Sequence, residues 1–194
     1  MTTLQHSLKV LVYLGATIPA DASYTNAVEQ LGKGLAQRGM SLVFGGSREG
    51  TMTILADAVL KNGGTAIGVF TKALPEEFLY QGLTQTIVTE NLSERKTEMF
   101  NQADAIIALP GSFGTWDELF DALERIKIDM INQKPAKPVA LLNLNGYYDG
   151  VTTLLKRSIQ EGYTTADYVD LLYSADSIAD LFSWLERMEN KGVQ

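Results

Sequence analysis

Short apolar runs alternate with longer amphipathic stretches along the whole of this 194-residue chain. Runs at 8–14, 41–44, 65–70, 84–88, 105–109 and 138–143 have the length of buried strands, and a weaker one lies at 169–173. Ala105-Ile106-Ile107-Ala108-Leu109 is apolar throughout rather than alternating, as suits a strand covered on both faces. Between the runs, apolar positions recur at helical spacing near 24–38, 50–61, 92–102, 115–131, 150–160 and 177–189. The punctuation agrees. Gly39 follows the first helical pattern, Gly63-Gly64 the second, and Ser177-x-x-Asp180 opens the last. Such alternation predicts an α/β fold: a doubly wound, Rossmann-like parallel sheet with right-handed crossovers and helices on both faces. With no repeat, low-complexity tract or linker, residues 1–194 read as a single domain, residues 1–7 forming a flexible tail.

Composition narrows the chemistry. Lys+Arg 16 against Asp+Glu 23 leaves a net charge of −7, which argues against a partner with a phosphate backbone, so no nucleic acid is expected. The absence of cysteine excludes disulfides, thiol nucleophiles and thiolate metal sites, and the single histidine, His6, sits on the expected tail. Chemistry must therefore run on carboxylates, Arg/Lys, hydroxyls and backbone amides. No apolar run approaches the roughly 20 residues of a membrane span, so no membrane partner is expected. Lys9 before an apolar run and small residues at 16–20 faintly mimic a secretory signal. An amphipathic helix follows directly, so the reading is a buried first strand and a cytoplasmic protein.

In a doubly wound sheet, ligands sit beyond the carboxyl ends of the strands. Three turns there are rich in small residues: Gly15-Ala16-Thr17, the 45–51 loop beginning Gly45-Gly46-Ser47, and Pro110-Gly111-Ser112-Phe113-Gly114-Thr115. Each is either a tight strand-to-helix turn or an anion cradle, in which backbone N–H groups converge on a phosphate at a helix start. Gly45 and Gly50 have Walker A spacing, but Thr51 stands where the lysine should be. No Gly-x-Gly-x-x-Gly follows a strand. Neither an ATPase nor an ordinary dinucleotide dehydrogenase is supported.

The stretch from Pro110 to Glu118 resembles the Pro-Gly-Gly-x-Gly-Thr-x-x-Glu motif of the Lonely Guy (LOG) family, cytokinin riboside 5′-monophosphate phosphoribohydrolases often labelled lysine decarboxylases. Matches follow in order at Gly45-Gly46-x-x-x-Gly50-x-Met52, Glu94-Arg95-Lys96-x-x-Met99, Ala103-Asp104-Ala105, Lys137-Pro138 and Asn145-Gly146-Tyr147-Tyr148. The resemblance implies hydrolysis of the N-glycosidic bond of a nucleoside 5′-monophosphate to free base and ribose 5-phosphate. It implies Arg95 and Glu118 as catalytic residues. Lys96, Glu77 (across a one-residue gap) and Gly111, Ser112, Phe113, Gly114 and Thr115 would line the substrate, with Gly15, Gly45, Gly46 and Ser47 nearby. It implies a homodimer and requires neither metal nor organic cofactor. Ser47 and Ser112 stand where the family usually has glycine, Thr51 where it has leucine and Ala16 where it has serine. The same superfamily resemblance includes molybdenum-cofactor carriers, so a non-catalytic binding protein is the alternative.

These residues suit the reaction. A ribosyl–nitrogen bond breaks through an oxocarbenium-like state, which a carboxylate beside the anomeric carbon stabilises. Arg95 offers a planar fork of donors. Each has a second reading: Thr115-x-x-Glu118 is also a capping box, and Arg95 is also a plain charged helix position. Asp117 reads as solvated, and Trp116, Phe120, Met52 and Met99 as core. The 115–131 helix carries Leu119, Phe120, Leu123, Ile126, Ile128, Met130 and Ile131, more apolar surface than one core stripe needs, so it is the expected dimer face.

Overall fold

β1 (Lys9–Tyr13) is apolar from Val10 onward, as suits a strand covered on both faces. Val10 and Val12 join the core on one face, and Leu11 and Tyr13 the core on the other. The computed structural model describes residues 7–190. The chain continues as α1 (Ala22–Gln37), β2 (Ser41–Phe44), α2 (Gly50–Lys61), β3 (Ala66–Thr71), β4 (Gln85–Thr89), α3 (Leu92–Gln102), β5 (Ala105–Ala108) and α4 (Phe113–Ile131). It ends with β6 (Val139–Leu142), α5 (Asp149–Gln160), α6 (Ala166–Val169), β7 (Leu172–Ala175) and α7 (Ile178–Asn190). The seven described strands form one sheet in the order β4-β3-β2-β1-β5-β6-β7, every pairing parallel. The chain winds outward from β1 to β4, then returns to β5 on the other side of β1. The strand order therefore reverses between β1 and β5, where the turns leaving these strands diverge and open a crevice.

α1, α2 and α7 cover one face around Leu31, Leu35, Leu55 and Leu181, all fully buried. α3 and α4 cover the other around Met99, Leu119 and Ile126. Burying each such side chain contributes about 1.5–3 kcal/mol, so the two layers hold the strand ends firmly. Met52 and Met99 are in the core, as the sequence reading has them. The expected terminators form: Gly39 and Gly63 take positive φ just past α1 and α2, and Ser177 Oγ accepts the Asp180 N–H at 3.2 Å.

Three expectations need correction. The strand expected at 169–173 is Leu172–Ala175, and the turn before it is the short helix α6. At the sheet edge this strand is mostly half-exposed, so it lacks the solid apolar run that marks the central ones. Trp116 and Phe120 are not core: 36% and 39% exposed, they look outward from α4. Two short 3₁₀ turns, Glu76–Phe78 and Leu144–Gly146, appear where no element was expected. His6 and residues 1–6 of the expected tail lie outside the described residues; Ser7 donates its hydroxyl to the Gly39 carbonyl.

Candidate active site

Asn91 caps α3: its side chain accepts the Glu94 N–H at 2.9 Å, while Glu94 accepts the Glu90 N–H at 3.0 Å. These bonds fix the first turn, and the residue after Glu94 is Arg95. Arg95 is 9% exposed, so the plain-surface reading of it is wrong. Its guanidinium donates Nε–H to Val69 O at 2.9 Å, Nη2–H to Gly45 O at 3.0 Å and Nη1–H to Glu118 Oε1 at 3.0 Å. A Cβ on residue 45 would lie 1.9 Å from Nη2, so the glycine is what admits the arginine.

α4 starts at Phe113 with Ser112 at its N-cap position, two residues earlier than the periodicity predicts. The capping box of Thr115 and Glu118 is therefore not formed. Thr115 lies inside the first turn, 3% exposed, and its buried Oγ1 has no hydrogen-bond partner among the described residues. Gly111 makes room for that hydroxyl, since a Cβ there would stand 2.1 Å from it. One turn on, the Glu118 side chain is 12% exposed and paired with Arg95. Burial pushes the Glu118 carboxyl up; the Arg95 charge pulls it back and the Asp117 charge adds to the rise, leaving it at about 7.

Arg95, Glu118, Gly15, Gly45, Ser47, Ser112, Gly114 and Thr115 line one cavity of about 330 Å³ at the switch point. Gly15, Ser112 and Gly111 line an adjoining cavity of about 280 Å³, whose apolar wall includes Val28, Leu109 and Leu142. Other expected residues lie elsewhere. Gly46 is buried behind its loop against Gly68. Phe113 is 80% exposed and meets Trp116 edge to face, ring centroids 5.3 Å apart. Glu77 points from an exposed 3₁₀ turn, while its neighbours Leu74 and Phe78 line the larger cavity. Lys96 is paired with Asp117 at 3.0 Å and Asp121 at 3.4 Å. Burial draws its ammonium down, but the two carboxylates outweigh that and leave it above its usual value. Asp117, expected in solvent, is exposed yet holds this ion pair.

Sequence reading passed over Glu49, Leu74 and Phe78 as site residues, and placed Met52 only in the core; all four line the larger cavity. The available signal was the acidic Glu49 just before the glycine that opens α2.

The family model described as possible lysine decarboxylase matches residues 52–185. The chain is 35% identical over 179 residues to the cytokinin riboside 5′-monophosphate phosphoribohydrolase LOG of Oryza sativa subsp. japonica, covering 92% of this chain and 72% of that protein. It is 32% identical over 179 residues to LOG2 of Arabidopsis thaliana, covering 92% and 82%. In fold it is similar to the molybdenum cofactor binding protein of Rippkaea orientalis, with a TM-score of 0.68, 23% identity, and 93% and 96% of the two chains covered. The molybdenum cofactor carrier protein of Chlamydomonas reinhardtii is similar at a TM-score of 0.64 and 21% identity, covering 93% and 97%. The chain belongs to the family described as possible lysine decarboxylase, which includes the LOG phosphoribohydrolases its motifs resemble.

Proposed function

We propose that the protein is a hydrolase of N-glycosyl bonds, cleaving a nucleoside 5′-monophosphate to free base and ribose 5-phosphate. The observation that carries this reading is the first turn of α4. There an unpartnered buried Thr115 hydroxyl stands one turn from a carboxylate held by Arg95. An unsatisfied buried hydroxyl costs about 1–3 kcal/mol unless a ligand engages it, and at a helix start the fitting ligand atom is a phosphate oxygen.

Phosphate at Thr115 brings the ribose against Glu118. As the C1′–N bond breaks, positive charge develops on the sugar, and ionised Glu118 stabilises it and orients the attacking water. Water supplies the hydroxyl on C1′ and a proton for the departing base. Arg95, fixed by two backbone carbonyls, keeps Glu118 aimed. The relatives named as cytokinin riboside 5′-monophosphate phosphoribohydrolases support the same activity and a place in cytokinin biosynthesis. We place the enzyme in the cytoplasm, as a homodimer formed through α4.

The test is incubation with a panel of nucleoside monophosphates, reading free base and ribose 5-phosphate by chromatography. Release of both in equal amounts is expected. Binding without release would favour a non-catalytic carrier.

A further inference from the structure

Glu49 is the last residue before α2, the position where a side chain usually caps the helix, yet it makes no capping bond. Ser47 Oγ accepts the Glu49 N–H instead, at 3.2 Å. The side chain is half-buried and lines the cavity that holds Arg95 and Glu118. Among the described residues no hydrogen bond or ion pair engages its carboxylate. A half-buried carboxylate on the wall of a partly open cavity, with no donor from the described residues, is free to accept one from a ligand.

Its place along the sheet says which part of a ligand supplies that donor. The unpartnered Thr115 hydroxyl marks the phosphate end, above β5. Neighbouring strands lie about 4.8 Å apart, so β1, β2 and β3 carry the cavity progressively away from that end. Arg95 is anchored on Gly45 O past β2 and Val69 O in β3, and brings Glu118 to the ribose between. In a nucleoside monophosphate the base leaves the ribose on the side away from the phosphate. It therefore reaches the β2–β3 end, where Met52, Leu74 and Phe78 offer an apolar wall for its flat face.

Glu49 belongs to that same end. Arg48 N–H donates to Phe78 O at 2.8 Å, Tyr80 N–H donates to Gly46 O at 2.9 Å, and Ser47 bridges Leu79. The segment before Glu49 is thus laced to the segment carrying Phe78.

We infer that Glu49 reads the edge of the base and selects one carrying an exocyclic amino group, adenine or cytosine, over its oxo counterpart. This rests on the phosphoribohydrolase reading above. An ionised carboxylate only accepts hydrogen bonds, so an amino group satisfies it, whereas a carbonyl oxygen sets lone pair against lone pair. Glutamine can present its NH₂ to a carbonyl and accepts either edge.

The test compares kcat/KM for AMP against IMP and for CMP against UMP, in the parent, Glu49→Gln and Glu49→Val. The parent should favour each amino base by roughly 10- to 100-fold, the span of one matched base-edge contact. Both variants should bring the ratios close to one while keeping the parent's melting temperature, since the side chain caps nothing. Equal rates on AMP and IMP in the parent, or an unchanged ratio in Glu49→Gln, overturns the inference and leaves the hydrolase reading standing. If the parent hydrolyses no monophosphate, the hydrolase reading falls, and melting shifts with AMP and IMP decide the role of Glu49. A larger AMP shift that Glu49→Gln abolishes supports it; equal shifts overturn it.

Discussion

Glu118 shows how little of a residue's role lies in its identity. The same glutamate would be an ordinary surface acid one position away, where Asp117 is 63% exposed on its side chain. Burial lifts Glu118 to about 7 from an ordinary 4.5, and Arg95 keeps the ionised form in place. Because the folded value lies above the unfolded one, the native state binds this proton more tightly. The associated stability is complete below pH 4.5 and is lost as pH rises through 7. Part of the parent's fall in melting temperature between pH 5 and 8 should therefore be absent from Glu118→Gln, which has no proton to lose there. Hydrolysis should move the other way, rising with pH through about 7 as the carboxylate ionises. Glu118→Gln should abolish that limb and lower kcat by on the order of 100- to 1000-fold, as loss of a preorganised charge does. A pH–rate profile flat across this range would remove Glu118 from the chemistry. Thr115 offers a separate check. Thr115→Val keeps the shape and deletes the unpartnered hydroxyl, so it should leave stability unchanged or raise melting by about 2–4 °C. AMP should raise the parent's melting temperature well above what adenosine does, by mass action, and Thr115→Val should shrink that difference. A full AMP shift in the variant would mean the phosphate sits elsewhere.

At the scale of elements, legibility followed burial. β1, β2 and β5 are covered on both faces and announced themselves as unbroken apolar runs. β7, at the edge and mostly half-exposed, left a weak pattern and was expected three residues early. Helix bodies were visible in their spacing, but helix starts depend on backbone geometry. α4 begins at Phe113 because Ser112 takes the extended conformation (φ −127°), a turn no apolar period marks. That offset of two residues turned Thr115 from cap into first-turn side chain, and so changed which of its two readings holds. The glycine loops told the same story. Nothing in the spacing of Gly45 reveals that an arginine fifty residues later fills the space its missing Cβ leaves. Motif resemblance names Arg95 and Glu118 each as catalytic; that they are buried and paired with one another needed the fold. Glu77 and Phe78 show the limit most plainly. Adjacent in a 3₁₀ turn, one faces solvent and the other the cavity, and no pattern three residues long separates them.

At the scale of the molecule, one helix has two duties. α4 gives Thr115 and Glu118 to the cavity, and Leu119, Ala122 and Ile126 to the core. Its outer side still presents Trp116, Phe120, Ile128 and Ile131 at 36–58% exposed. Beside it, α5 has no buried residue and leaves Leu154 57% exposed, and Tyr163 follows at 86%. Phe120 and Leu123 open onto a groove shared with Leu155, Tyr163 and Tyr168. These exposed apolar side chains are what the proposed dimer through α4 rests on. In a twofold face residue i of one copy meets residue j of the other and j meets i, and residues close to the axis meet their own equivalents, so a charge introduced near the centre is met by its own copy. Phe120→Asp should therefore convert a dimer, seen by light scattering at micromolar concentration, into a monomer. Phe120 lies outside the core, so the variant's melting profile should show a folded chain. Glu118, on the opposite side of the same helix, gives the readout that links assembly to chemistry. If the partner steadies α4, the monomeric variant should lose hydrolysis through kcat while AMP still raises its melting temperature. A parent that scatters as a monomer would end the dimer proposal, and the exposed aromatic stripe would then need another occupant.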